Sequence, residues 1–163
     1  SKAAANPLAE AGQLFASQPS QGLLMLNTVL VGVDGSDNSR RAAQFAHQLV
    51  RTNGGKLTVV HVVEPIGDEL SSLMGLPAEQ LRERRYLYGQ RLLEQLCREL
   101  ELQGAEQVIE IGSASEALCA HAQERDADII VVGRHGHGPH RLLPGSVGSR
   151  LVKITDRTVT VVR

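Results

Sequence analysis

Aromatic side chains are scarce: two Phe, two Tyr and no Trp among 163 residues. Phe15, Phe45, Tyr86 and Tyr88 are too scattered to form the stacking platform on which single-stranded nucleic acid is held. Neither sign of charge is in excess, with 17 Lys and Arg against 18 Asp and Glu. The formal net charge is -1, which disfavours a broad polyanion-binding surface, so no nucleic-acid partner is expected. Cysteine is limited to Cys97 and Cys119, at no CxxC spacing, so neither a disulfide framework nor a knuckle is read. Both read as small buried side chains, in keeping with a reducing compartment. No apolar run approaches the ~20 residues of a membrane span. No basic start leads into a long apolar stretch, so no secretion signal is read and a cytoplasmic location is expected. Familiar catalytic motifs are also missing. There is no G-x-S-x-G elbow, and no Gly-x4-Gly-Lys loop followed by Ser or Thr. Without that lysine, binding without efficient phosphoryl transfer is the natural expectation, and no catalytic residue is assigned.

What remains is a core of Val, Leu, Ile and Ala, since hydrophobic residues still make up 42% of the chain. Residues 1–26 differ from the rest, being rich in Ala, Ser and Gln. Asn6 and Pro7 open a short helical stripe of Leu8, Ala11, Leu14 and Phe15, and Gln18 to Gly22 reads as a linker. This arm is expected to be a linker or a contact for a protein partner. From Asn27 to Arg163 a strand–helix rhythm takes over, forming one domain. Expected strands are 28–34, 56–64, 106–111, 128–133 and 157–163. Expected helices are 40–51, 78–102, 113–125 and 146–154, with a loop over 65–77. Ser36 or Asp37 is expected to cap the first helix, and Ser113 with Glu116 resembles a capping box. Leu81, Leu92, Leu93, Leu96 and Leu100 are expected to face inward from the long helix. Alternating elements with continuous apolar strands predict a parallel sheet covered on both faces.

In such a sheet, ligands bind beyond the strand C-termini, where strand order reverses. The first and fourth strands should flank that point, and they feed the two most unusual loops, VDGSDNS and GRHGHGPHRLLPGS. Gly133, Gly136 and Gly138 would allow positive φ and close approach to a ligand. Successive amides there form an anion-favouring nest, and Gly145-Ser146 opens a helix whose free amides suit a phosphate. Arg134 and Arg141 add fixed positive charge. Asp34, preceded by Val33, is placed to accept from a ribose hydroxyl or else to stabilise a turn. Val62 could pack on a base or serve the core. His135, His137 and His140 have no Cys or acidic partner nearby in sequence and read as polar loop residues, so no metal site is expected. His61, inside an apolar strand, reads as a satisfied core histidine.

The segments TVLVGVDGSDNS, VVHVVEP, DADIIVVGRHGHG and GSVGSRLV together resemble the universal stress protein family, along the whole of 27–163. The resemblance implies an open five-stranded parallel α/β sheet of order 3-2-1-4-5, Rossmann-like, with helices on both faces. It also implies dimers formed through the last strand, here 157–163. The ATP-binding branch carries Gly-x2-Gly-x9-Gly followed by Ser or Thr. Gly133, Gly136, Gly145 and Ser146 match it, with eight residues instead of nine before Gly145. By resemblance Asp34 would meet the ribose and Val62 the adenine. Gly133 and Gly136 would meet ribose and phosphates, and Gly145, Ser146 and Val147 the phosphates of ATP, ADP or AMP, with or without Mg2+. Thr158 stands where many members have Pro, and short members lack the N-terminal arm. The leading expectation is a dimeric adenine-nucleotide-binding regulator of stress response. The alternatives are a nucleotide-independent interaction module, or a cytoplasmic regulatory domain of a larger protein such as a transporter.

Overall fold

The computed structural model describes residues 26–134 and 147–163. Its strands are β1 (Thr28–Gly32), β2 (Lys56–Val63), β3 (Glu106–Ile111), β4 (Ile129–Gly133) and β5 (Thr158–Val162). Its helices are α1 (Asp37–Asn53), α2 (Asp68–Leu73), α3 (Ala78–Glu99), α4 (Ala114–Glu124) and α5 (Val147–Ile154). All paired strands run parallel, in the order β3-β2-β1-β4-β5. This is the α/β architecture expected from the alternation of elements.

Alternate residues of each strand face opposite sides, so a strand buried on both sides needs apolar residues throughout. Val29, Val31, Leu57, Val59, Ile129 and Val131 form one core with Ala42, Ala43 and Ala46 of α1 and Leu93, Leu96 and Cys97 of α3. Leu30, Val60, Ile130 and Val132 form the other, with Leu118, Cys119 and Ala122 of α4 and Leu151 of α5. Each fully buried Val or Leu contributes about 1.5–3 kcal/mol, so these two layers hold the five strand ends at fixed positions.

Local chemistry sets the element ends. Ser36 caps α1, its side chain accepting from the Ser39 amide at 3.1 Å, and Gly54 ends it in a left-handed conformation. Several expectations need correction. The 65–77 segment is not all loop: Asp68–Leu73 is a one-and-a-half-turn helix, too short to show periodicity. α3 stops at Glu99 rather than Leu102, and the chain turns through a positive φ at Glu101. Ser113 holds the cap position of α4 without a capping hydrogen bond; its hydroxyl lies 3.4 Å from that of Ser115. Leu81, Leu93 and Leu96 are buried on α3 as expected, with Leu92 and Leu100 half-buried, but Gly89 and Cys97 share that face. Among the described residues no helix is long and apolar enough to cross a membrane. The expected arm helix, and Gly136, Gly138, Gly145, Ser146 and the three loop histidines, lie outside the described residues.

Candidate functional site

β1 is central, with β2 on one side and β4 on the other. The chain therefore leaves β1 in one direction and later returns to its other flank, which opens a crevice at the C-terminal ends of β1 and β4. Val33 and Asp34 follow β1 directly, Val62 lies near the end of β2, Gly133 ends β4, Arg134 follows it, and Val147 starts α5. These six sequence-predicted residues thus converge on one rim. Val62 and Val147 are both half-buried against the α4–α5 core, on the same face of the sheet.

Asp34 sits in a tight turn. Its Oδ1 accepts from the Ser36 amide at 3.0 Å, and its own amide donates to Ser39 Oγ at 3.3 Å. The expected turn role of this carboxylate is therefore filled. Gly35 has φ 85°, which explains glycine after the aspartate. The Arg134 amide donates to the Val162 carbonyl at 2.8 Å, extending the β4–β5 ladder, and its side chain is exposed at the rim.

One part of the expectation for Gly133 needs correction: it is not among the glycines at positive φ. A Cβ there would stand 2.7 Å from the Asn38 carbonyl carbon and 2.8 Å from the Ser39 nitrogen. Glycine lets the first turn of α1 settle on the end of β4, and that same turn presents Ser36 and Ser39 to Asp34.

His61 is the residue that sequence reasoning left in the core. It is buried, and its Nδ1 donates to the Val33 carbonyl at 2.8 Å. A carbonyl oxygen only accepts, so the proton is on Nδ1. Burial pushes the ring below its ordinary value near 6.5, against the opposing pull of the Val33 hydrogen bond and the Asp34 charge; Arg85 lowers it further. The signal available in the sequence was a histidine interrupting the apolar run 59–63, two positions before the end of β2. A neighbouring cleft of about 230 Å3, between α1 and α3, is lined by Gly35, Ser36, Ser39, Arg40, Tyr88 and Leu92 among others. Of the sequence-predicted contact residues, none lines it. Among the described residues no three His, Cys, Asp or Glu side chains cluster as metal ligands.

Comparison with known proteins agrees with this frame. The chain is 28% identical over 148 residues to universal stress protein YxiE of Bacillus subtilis, covering 85% of this chain and all of that one. It is 30% identical over 141 residues to a universal stress protein of Thermus aquaticus, covering 85% of this chain and all of the relative. Among solved structures, UspA of Lactobacillus plantarum superposes with a TM-score of 0.68 at 23% identity, over 84% of this chain and 98% of that one. A universal stress protein solved in complex with cAMP gives a TM-score of 0.62 at 26% identity, over 85% and 98%. One from Archaeoglobus fulgidus, in complex with dAMP, gives 0.57 at 21% identity, over 86% and 100%. The model of the universal stress protein family matches residues 25–163, nearly the whole of the strand–helix succession described above. The chain belongs to the universal stress protein family.

Proposed function

We propose that this chain is an adenine-nucleotide-binding regulator of stress response, acting as a homodimer in the cytoplasm. The observation that carries the reading is the convergence of Val33, Asp34, Val62, Gly133, Arg134 and Val147 at the one crevice where strand order reverses. The family relative solved with cAMP supports an adenine nucleotide as the ligand class. Asp34 would accept from the ribose and Val62 would pack on the base. The backbone around Gly133 and Gly136 would meet ribose and phosphate, and Gly145 and Ser146, together with Val147, which begins α5, would hold phosphate oxygens. Arg134 would supply charge that the amides lack, for ATP, ADP or AMP, with or without Mg2+. Hydrolysis is at most slow, because no phosphate-contacting lysine follows the glycines.

The dimer would form through β5. This edge strand carries Val161, 45% exposed, and the neighbouring α5 exposes Val152 and Ile154. An unpaired apolar edge of this kind favours a partner strand. Residues 1–26 would then serve as linker or as contact for a further protein.

A second reading is a nucleotide-independent interaction module, alone or as a regulatory domain of a larger protein such as a transporter. It draws on the eight-residue spacing before Gly145 and on the Asp34 oxygen already engaged by Ser36. Native mass spectrometry of the freshly purified protein, followed by calorimetric titration with AMP, ADP, ATP and cAMP, separates the two. The nucleotide reading expects at least one micromolar ligand and an affinity weakened about tenfold or more by Asp34→Ala. No heat with any of the four, and no co-purified nucleotide, would leave the interaction module.

A further inference from the structure

Val33, Asp34, Val62, Gly133, Arg134 and Val147 stand on the crevice rim. Behind them, one peptide unit is gripped from two sides. The carbonyl of the Val33–Asp34 peptide accepts from His61 Nδ1 at 2.8 Å. The amide of the same peptide donates to Ser39 Oγ at 3.3 Å. His61 belongs to β2 and Ser39 to α1, so the grip on this peptide comes from two different elements. Ser39 Oγ in turn donates to the Ser36 carbonyl at 2.9 Å, and the Ser36 amide donates to Asp34 Oδ1 at 3.0 Å. A trans peptide is planar. Holding both its oxygen and its hydrogen fixes the plane, and with it the direction in which Asp34 leaves the backbone. The grip lies just past the last β1–β2 register pair, Gly32 and Val60: the Val33 amide still donates to the Val60 carbonyl at 2.9 Å, and the next peptide is held by side chains instead.

His61 is itself seated. A Cβ at position 89 would stand 2.5 Å from His61 Cδ2 and 3.2 Å from Nε2, so Gly89 of α3 is the floor under the ring. Tyr88 meets the ring edge-on, with centroids 6.5 Å apart and planes at 69°. Arg85, one turn earlier on α3, donates to the Glu64 carbonyl just after β2. A Cβ on Gly35 would lie 3.1 Å from Leu92 and 3.2 Å from the Tyr88 hydroxyl. Residues 85, 88, 89 and 92 recur on one helical face. That face therefore braces three backbone points around the crevice: Glu64, Gly35 and, through His61, Val33.

We propose that His61 is a positioning residue of the nucleotide site, pinning the Val33–Asp34 peptide so that the Asp34 carboxylate is presented to the ribose. The inference rests on the nucleotide reading above, and it adds a residue that touches no ligand. A histidine that merely fills core space would be replaceable by any side chain of similar bulk. A positioning histidine is replaceable only by one that returns the donor. The amide nitrogen of an asparagine stands near the place of Nδ1; a leucine supplies bulk alone.

Three variants test it: His61→Leu, His61→Asn and Gly89→Ala, the last keeping the imidazole but displacing it. Three measurements are made on each: thermal midpoint, amide hydrogen exchange at Val33 to Ser36 in the ligand-free protein, and calorimetric titration with AMP. His61→Leu and Gly89→Ala are expected to speed exchange of the Asp34 amide about tenfold and to weaken AMP binding by a similar factor, the loss of one hydrogen bond. His61→Asn is expected to restore both to within about threefold, even where its thermal midpoint stays as low as that of the leucine variant. Unchanged exchange in His61→Leu overturns the grip. Faster exchange with unchanged AMP affinity, or failure of asparagine to restore either, overturns the positioning role. If the unaltered protein binds no AMP, the titration is made with whichever of ADP, ATP or cAMP it binds; if it binds none of the four, the functional reading fails on its own, and the exchange measurement still decides whether His61 orders the loop. If His61→Leu does not fold, Gly89→Ala against His61→Asn supplies the same comparison.

Discussion

Replacing Gly133 by alanine tests the packing argument most directly. The added Cβ would approach the Asn38 carbonyl carbon to 2.7 Å and the Ser39 nitrogen to 2.8 Å, whereas ordinary contact begins near 3.4 Å. Both obstacles are backbone, so no rotamer change relieves them. The first turn of α1 would have to retreat by about 0.7 Å. Ala42, Ala43 and Ala46 of the same helix are fully buried against the sheet, so a retreat there loosens close-packed contacts along two turns. Overpacking of this kind costs about 1–3 kcal/mol, which lowers the thermal midpoint of a domain this size by roughly 3–9 °C. Gly67→Ala is the matched control, because a Cβ there meets nothing within 4 Å and the residue is not at positive φ. It should be neutral, or stabilising by up to about 1 kcal/mol through the unfolded chain. Urea unfolding of both variants reads the difference. If Gly133→Ala unfolds at the same urea concentration as Gly67→Ala, the steric reasoning is wrong, and the glycine has to be explained through a ligand alone.

Other consequences follow from the same contacts. His61 is held neutral by burial, facing Asp34 from the β1–α1 turn and Arg85 and Tyr88 from α3. The unfolded chain takes up that proton near pH 6.5, while the folded one resists it to lower pH. Stability should therefore fall as pH drops from 7.5 through 6.5 and below, and His61→Asn should remove this part of the slope in urea titrations. Val161→Asp puts a charge on the exposed edge of β5; sedimentation is expected to show monomer in place of dimer, with the circular dichroism spectrum unchanged. A dimer that survives this change would move the interface elsewhere.

Much of the frame could be read without coordinates, for a definite reason. β1, β2 and β4 are nearly continuous apolar runs followed closely by Gly, Asp or Pro, and β3 and β5 alternate polar with apolar residues, so their presence follows from pattern. The alternation with helices then leaves a parallel sheet as the arrangement that buries both faces. The placement of Asp34 and Gly133 at one crevice followed from topology, because strand ends bordering a reversal must be neighbours. The helix Asp68–Leu73 escaped because six residues carry no periodic signal. The burial of Gly89 escaped because glycine has no hydropathy to betray a contact.

By itself, then, the chain's pattern of apolar residues and breakers determined which segments are strands, which are helices and which loops meet at the crevice, since these depend on local propensity and burial. The tertiary structure alone decided what those residues do there. His61 reaches the Val33 carbonyl across 28 positions, Ser39 reaches the amide of the same peptide from another element, and Gly133 lies under the Asn38–Ser39 backbone. Such contacts depend on distances of a few ångströms between separately formed elements, and no spacing along the chain encodes them.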